Sequence, residues 1–274
     1  TKIKVADIVF SNKDDLLNLT EYTQLAIYSA SMSIFNALKA EFDLNIMNIN
    51  FMLGHSLGEF SALTASNVLN LNDCANLLKI RGKLMGNAYK PNKSGMAAII
   101  GLNYNSVKKI ISENNLLVEI ANDNSLMQIV VSGKINDLEF SENYFINNGA
   151  KKFIRLNVSS AFHSKIMNKA QNEMNNYIDE IEFKNSSFEV ISNYSATNSN
   201  IGYKLKNNIS KQMANMVKWT ESIKLLENMN EKNILEIGPG RVLSGLIKRI
   251  SNNFIISNLE KIEDLVKVEN AYKS

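Results

Sequence analysis

The run Gly54-His55-Ser56-Leu57-Gly58 matches the pattern G-x-S-x-G, which can carry nucleophilic chemistry. In such a turn a strand passes abruptly into a helix, the serine stands at the apex, and flanking glycines leave room for the strained backbone. The N–H of the next residue, Leu57, then lies at a helix N-terminus, where it can stabilise an oxyanion. The pattern predicts a nucleophilic Ser56, and a tight strand–helix turn without chemistry fits it equally well.

A nucleophilic serine needs a base, and the chain has two histidines, His55 and His163. Adjacent side chains diverge across such a turn, so we interpret His55 as a packing or turn-stabilising residue. His163 follows a predicted strand, and strand ends line the crevice of an open α/β sheet. A lone histidine is more often structural, but His163 is the one plausible base partner, and we predict that it activates Ser56.

Arg81 lies in the segment Ile80-Arg81-Gly82-Lys83. Its guanidinium can hold a carboxylate through two parallel hydrogen bonds. The alternative is a solvated basic helix face, and the sequence by itself favours that alternative. Cys74, on the same predicted helix, is interpreted as a small core residue.

Composition excludes several classes of protein. The chain has 274 residues, a formal net charge of +3 and 45% hydrophobic residues, so it is neither disordered nor a strongly basic nucleic-acid binder. One cysteine excludes an intrachain disulfide framework and a multi-cysteine metal site. No apolar run reaches the length of a membrane span, and the first residues do not resemble a signal peptide. The first residue is Thr1, so we expect the sequence to begin inside a longer protein.

The predicted elements divide the chain into three regions. Residues 1–91 contain predicted helices at 21–38, 59–66 and 73–85, and a predicted core strand at 46–53. Residues 92–158 read β-α-β-β-α-β, the ferredoxin-like pattern, with the second strand predicted at 116–121. Residues 159–274 return to longer elements, including predicted helices at 164–181 and 201–215. Strands that alternate with helices predict a mainly parallel sheet, and thus an α/β fold with a smaller inserted subdomain.

Seven ordered motifs, taken together, resemble the malonyl-CoA:acyl-carrier-protein transacylase family of type II fatty acid synthesis, which is related to the acyltransferase domains of polyketide synthases. The motifs are GHSLGEFSAL at 54–63, IRGKLM at 80–85, GMAAIIGL at 95–102, NDNS followed by QIVVSG within 122–133, AFHSKIM at 161–167, VKWTESI at 217–223 and EIGPGRVLSGLIKR at 236–249. The resemblance covers essentially the whole chain. It implies an α/β-hydrolase-like large subdomain (1–91 and 159–274) interrupted by a ferredoxin-like small one (92–158).

The resemblance also implies roles for individual residues. Ser56 resembles the nucleophile and His163 its acid/base partner, while Arg81 resembles the residue that pairs with the free malonyl carboxylate. Gln212 falls where the family has a glutamine whose main-chain carbonyl orients the histidine. The remaining implied substrate contacts are Leu57, as one oxyanion N–H, Phe162, as the malonyl-selecting residue, and Asn122 and Asn124, in a loop lining the cleft.

Two departures from the family pattern stand out. Family members begin with a strand and a G-Q-G motif that provides the other oxyanion N–H, and nothing in this sequence matches it. Leu126-Met127 replaces a Pro-Gly that the family often has after its asparagines.

The implied activity is transfer of malonyl from malonyl-CoA to the phosphopantetheine thiol of acyl carrier protein, without a metal or redox cofactor. The competing hypotheses are a serine hydrolase or thioesterase on a similar turn, and a truncated, non-catalytic acyl-binding module. We expect a cytoplasmic monomer, with a plastid or mitochondrial location as the alternative, and no nucleic-acid or membrane partner. Candidates for a basic rim that docks the acidic carrier are Lys83, Lys165, Lys218, Arg241 and Lys248.

Overall fold

A computed structural model describes residues 3–11, 13–42 and 47–273. Helices and strands alternate along most of these residues. The helices are α1 (Val5–Ser11), α2 (Thr20–Glu41), α3 (Leu57–Ala65), α4 (Leu71–Gly86), α5 (Tyr104–Glu113), α6 (Ile135–Asn147), α7 (Asn168–Asp179), α8 (Gly202–Gln212), α9 (Trp219–Asn228), α10 (Val242–Lys248) and α11 (Ile262–Lys273). The strands are β1 (Phe51–Met52), β2 (Ser94–Ile100), β3 (Val118–Ser125), β4 (Gln128–Lys134), β5 (Lys152–Arg155), β6 (Glu189–Ile191), β7 (Asn198–Ser199), β8 (Asn233–Ile237) and β9 (Ile255–Leu259).

The small subdomain is an antiparallel sheet with strand order β3-β4-β2-β5. Side chains alternate across β2: Ala97 and Ile99 join the core under α5 and α6, while Met96 and Ala98 join a second cluster on the opposite face. This strand order, with two helices on one face, is the ferredoxin-like arrangement that the sequence pattern predicts. The division of the chain at residues 91/92 and 158/159 stays a prediction.

The larger part of the molecule carries parallel strand pairs, β1 with β6 and β8 with β9, and an antiparallel edge strand, β7. The α/β class is therefore confirmed. In the described residues these strands form two small sheets rather than one continuous sheet. Strand β1 has only two residues, against a prediction of 46–53, and residue 46 lies outside the described residues.

The topology brings several loops to one place. Because β1 and β6 are parallel, their carboxyl ends meet at the same edge, so the turn at Ser56 lies beside Asn193. The segment between α8 and α9 crosses to the small subdomain, where Val217 pairs with β3 through Ala121 and Asp123. The crevice between the two parts thus lies above the turn. No helix in the described ranges combines the length and apolarity needed to cross a membrane.

Two predicted boundaries were wrong for one reason. The predicted helix 201–215 ends at Gln212, because the chain must leave the helix to pair with β3. The predicted strand 116–121 continues to Ser125, so Asn122 and Asn124 lie in a strand and not in a loop. Asparagine has low strand propensity, but pairing with β4 on one side and with Val217 on the other overrides it. In the region predicted as one helix over 164–181, a short 3₁₀ turn precedes α7.

Candidate active site

Ser56 stands at the apex of a strained turn, with φ 51° and ψ −100°, and α3 begins at the next residue, Leu57. A Cβ on Gly54 would lie 2.2 Å from the main-chain carbon of Gly58, so the turn requires glycine at 54. The Asn193 side chain holds the turn from outside. It accepts from the Ser56 N–H at 2.6 Å and donates to the Gly54 carbonyl at 2.7 Å.

His163 lies within hydrogen-bond distance of Ser56, with 2.8 Å between Nε2 and Oγ. Its Nδ1 lies 3.0 Å from the carbonyl of Gln212 and 3.2 Å from that of Asn215. Carbonyl oxygens only accept, so Nδ1 carries the proton and Nε2 is free to accept one from Ser56. Burial, and next the positive charge of Arg81, lower the pKa of His163 to about 3. The imidazole is therefore neutral at physiological pH.

The backbone at His163 is held from both parts of the molecule. Its φ of 55° is unusual for a residue other than glycine. Its N–H donates to the Met213 carbonyl at 3.1 Å, while the carbonyl of the preceding Phe162 accepts from the Ser132 hydroxyl of β4 at 2.5 Å. The small subdomain thus helps to place the imidazole. The Phe162 side chain packs between the large core and the cluster on the outer face of the small sheet.

Arg81 is buried, with 2% of its surface exposed, so the solvated helix face is wrong. Its Nη2 donates to Ser56 Oγ and to Gln212 Oε1, both at 2.9 Å, and its Nη1 donates to Gln24 Oε1 at 2.6 Å. The guanidinium lies 5.3 Å from the ring centre of Phe60. Burial lowers the pKa of Arg81 to about 10, which keeps it charged at neutral pH.

The close approach of α4 to α2 places this arginine. A Cβ on Gly82 would lie 2.5 Å from the Cα of Glu21, so glycine at 82 lets the two helices touch. One turn along α2, Gln24 then reaches Arg81.

Gln212 contacts all three candidate site residues, Ser56, His163 and Arg81. Its carbonyl accepts from His163 and its Oε1 from Arg81, while its Nε2 donates to the Ser56 carbonyl and to Glu59 Oε2, both at 2.8 Å. Burial raises the pKa of Glu59 to about 7.

His55, the other histidine, has different neighbours. Its Nε2 lies 2.8 Å from Asn124 Oδ1, and its ring lies 5.5 Å from that of Trp219. This agrees with a packing role for His55. The Asn122 side chain is also buried, and its Oδ1 has no hydrogen-bond partner among the described residues.

The structure therefore brings Ser56, His163, Arg81 and Gln212 together, whereas Asn124 contacts His55. Four residues of the site were missed: Gln24, Glu59, Ser132 and Asn193. Gln24 and Glu59 carried a usable signal, because each is a polar residue in a mainly apolar helical run. Ser132 and Asn193 carried none, since their partners are distant in sequence.

Comparison with known proteins adds to this geometry. A family profile described as an acyl transferase domain matches residues 1–259. The chain belongs to the acyl transferase family. Among curated members, it is 33% identical to a malonyl CoA-acyl carrier protein transacylase of Staphylococcus aureus, over 95% of this chain and 84% of that protein. It is 41% identical to the polyketide biosynthesis protein PksE of Bacillus subtilis, over 86% of this chain and 30% of that protein.

Solved structures of acyltransferases superpose closely on this family member. The acyl-carrier-protein S-malonyltransferase of Bartonella henselae gives a TM-score of 0.93 at 32% identity, over 99% of this chain and 87% of that one. A malonyl-transacylase in complex with a type II polyketide synthase acyl-carrier protein gives a TM-score of 0.91 at 30% identity, over 97% of this chain and 86% of that one. No group of three His, Cys, Asp or Glu side chains suited to a metal occurs in the part of this acyltransferase that the structure describes.

Proposed function

We propose that this acyltransferase moves malonyl from malonyl-CoA to the phosphopantetheine thiol of an acyl carrier protein, through a malonyl ester on Ser56. The observation that carries the proposal is the buried Arg81 guanidinium, 2.9 Å from Ser56 Oγ. A buried positive charge beside the acylated atom favours an acyl group with a carboxylate of its own. The names of the relatives support the same substrate pair.

In the first half-reaction Ser56 Oγ attacks the thioester carbonyl while its proton passes to His163 Nε2. The Leu57 N–H, at the start of α3, stabilises the oxyanion. The carbon–sulfur bond breaks, and coenzyme A leaves as the thiol with the proton from His163. In the second half-reaction the carrier thiol gives its proton to His163, its sulfur attacks the ester, and Ser56 regains the proton. This chemistry needs no metal or redox cofactor.

Arg81 holds the malonyl carboxylate in both half-reactions. Its Nε is buried and has no partner among the described residues, so a carboxylate oxygen would satisfy a free donor. We assign Asn122, Asn124 and Phe162 to the cleft wall around the acyl group. The unpartnered Oδ1 of Asn122 supports this assignment for one of them.

We further propose an acyl carrier protein that docks against basic residues, a monomeric enzyme and a bacterial cytoplasmic location, in which the product supplies chain elongation in fatty acid synthesis. The bacterial sources of the relatives support the location. Of the candidate docking residues, Lys218 is partly buried and lies 4.0 Å from Glu221, and the others are exposed: Lys83, Lys165, Arg241 and Lys248.

Malonyl transfer to a carrier protein tests this proposal directly. The protein is mixed with malonyl-CoA and a holo acyl carrier protein, and the intact mass of the carrier is followed. We expect one malonyl addition to the holo carrier and none to the apo carrier, which lacks the thiol. Malonyl-CoA that is hydrolysed at the same rate with or without the carrier would instead support a hydrolase.

A further inference from the structure

Glu59 is a carboxylate that α3 places beneath the site, with 1% of its surface exposed. Its Oε2 accepts from Gln212 Nε2 at 2.8 Å and from the main-chain N–H of Asn193 at 3.1 Å. Burial of a carboxylate is costly unless hydrogen bonds and an opposite charge compensate. The reaction proposed above gives this residue no step, so its position needs another explanation.

Glu59 and the main-chain carbonyl of Ser56 together determine which way the amide of Gln212 faces, because both accept from its Nε2 at 2.8 Å. A carboxylate only accepts, so the Nε2 of Gln212 must point toward Glu59. The Oε1 of Gln212 then points the other way, where Arg81 Nη2 donates to it at 2.9 Å. With the amide reversed, an NH₂ group would face the guanidinium, and both groups are donors. The orientation of Arg81 therefore depends on the two acceptors that hold this amide, and Glu59 is the one that carries a charge.

The same chain of contacts links two buried charges. Arg81 donates to Gln212, and Gln212 donates to Glu59, so one amide bridges the cation and the anion. The negative charge of Glu59 opposes the lowering of the Arg81 pKa by burial. Before substrate binds, Glu59 thus supplies the charge that balances the guanidinium.

We propose that Glu59 is a positioning residue for acyl selection, which acts through the amide of Gln212 to hold the Arg81 guanidinium toward the acyl group on Ser56. This inference rests on the proposed malonyl transfer. It makes Glu59 a determinant of malonyl preference and not of acyl transfer in general.

A pH dependence follows from the groups around Glu59. Its pKa of about 7 means that it gains a proton as pH falls from 8 to 6. The other titratable groups of the cluster keep their charge in that window: the pKa of Arg81 is about 10, that of His163 about 3, and that of His55 is lowered by burial. A protonated Glu59 no longer supplies the negative charge that strengthens its hydrogen bond with Gln212 and balances the Arg81 guanidinium. The preference for malonyl-CoA over acetyl-CoA should therefore weaken as pH falls through 7.

The experiment uses Glu59→Gln, which keeps the shape of the side chain and removes its charge. We measure kcat/KM for malonyl-CoA and for acetyl-CoA on one preparation at pH 8, so that any loss of folded protein cancels in their ratio. We expect the ratio to fall about tenfold, the size of one charge-assisted hydrogen bond. Glu142→Gln, at an exposed site on α6, is the matched control and should leave the ratio unchanged.

Two further measurements separate the outcomes. In an Arg81→Ala background, Glu59→Gln should lower the ratio no further, because its effect passes through Arg81. If Glu59→Gln does not fold, the fall of the wild-type ratio between pH 8 and pH 6 still tests the proposal. An unchanged ratio in folded Glu59→Gln, or a wild-type ratio that is flat with pH, overturns the role of Glu59. A wild-type protein that does not transfer malonyl refutes the proposed function instead.

Discussion

Arg81 Nη2 and Ser56 Oγ lie 2.9 Å apart, and the same Oγ lies 2.8 Å from His163 Nε2. A guanidinium only donates, so the hydroxyl accepts from Arg81 and gives its own proton to His163. The atom that we propose is acylated is thus also the atom that Arg81 touches. If Arg81 binds the malonyl carboxylate as proposed, that carboxylate stays beside the ester on Ser56.

Ser56 should carry the covalent acyl group. After incubation with malonyl-CoA and digestion, the peptide containing Ser56 should gain the mass of one malonyl unit, because its Oγ is the atom paired with His163. Mass spectrometry of the digest measures this. A label on another peptide, or a label that persists in Ser56→Ala, would show that the nucleophile is a different residue.

His163→Ala should slow acylation by about 10² to 10⁴, the usual contribution of a general base. His55→Gln should keep most of the activity, because the Nε2 of His55 bonds Asn124 and not Ser56. Single-turnover release of coenzyme A measures both rates, and circular dichroism checks folding. If the two effects were reversed, the assignment of the base would be wrong.

Arg81→Ala should abolish most of the preference for malonyl-CoA over acetyl-CoA. A hydrogen bond to a charged group contributes about 1.5 to 3 kcal/mol, so loss of the two-bond contact with the malonyl carboxylate should change the ratio of the two kcat/KM values by about 100-fold or more. Acetyl transfer should persist or rise. Arg81→Lys should restore the ratio only in part, because an ammonium group cannot form the planar, two-bond contact.

The reactivity of Ser56 should resist mild acid. A histidine with the usual pKa of about 6.5 would lose its neutral form about tenfold by pH 5.5. The pKa of about 3 for His163 predicts instead a constant rate of modification by a neutral, serine-directed fluorophosphonate between pH 8 and pH 5. A neutral reagent offers no carboxylate for Arg81 to bind, and Arg81 keeps its charge throughout this pH range because its pKa is about 10. A tenfold fall near pH 6 would show that the imidazole is less buried in solution.

The two glycines of the turn should differ in their effect on stability. Gly54→Ala should lower the free energy of unfolding by about 3 kcal/mol, because its Cβ would overlap the backbone of Gly58. In Gly58→Ala the added Cβ lies in open space beside helix α3. This substitution should leave the free energy of unfolding unchanged or raise it by up to about 1 kcal/mol. Urea unfolding measures both. Equal destabilisation by the two variants would contradict the packing of the turn.

The pKa of His163 is lower in the folded protein than its value of about 6.5 in the unfolded chain. The folded state therefore disfavours the proton, and this contribution to stability decreases as pH falls below 6.5 toward 3. The contribution of Glu59 to stability changes with pH in the opposite direction. Folding raises the pKa of Glu59 from 4.5 to about 7, so this contribution is present below pH 4.5 and is lost as pH rises through 7.

Local sequence patterns predicted the small subdomain, the turn at Ser56 and the family of this protein. The order of short strands and helices in residues 92–158 predicted the small sheet and its two helices, because those signals lie within neighbouring residues. The run from Gly54 to Gly58 predicted the turn, since its strain depends on adjacent residues. The ordered motifs implied the family, which comparison with known proteins then established.

Only the tertiary structure decided the surroundings of Arg81. A lysine-rich helix segment predicts an exposed guanidinium, but the contact of α4 with α2 buries it against Gln24 and Ser56. The same holds for Glu59, Asn193 and the strand that contains Asn122, each of which depends on a partner more than 90 residues away. The free energy of a buried polar group is set by the partners that fold around it, and a local sequence pattern carries no information about those distant partners.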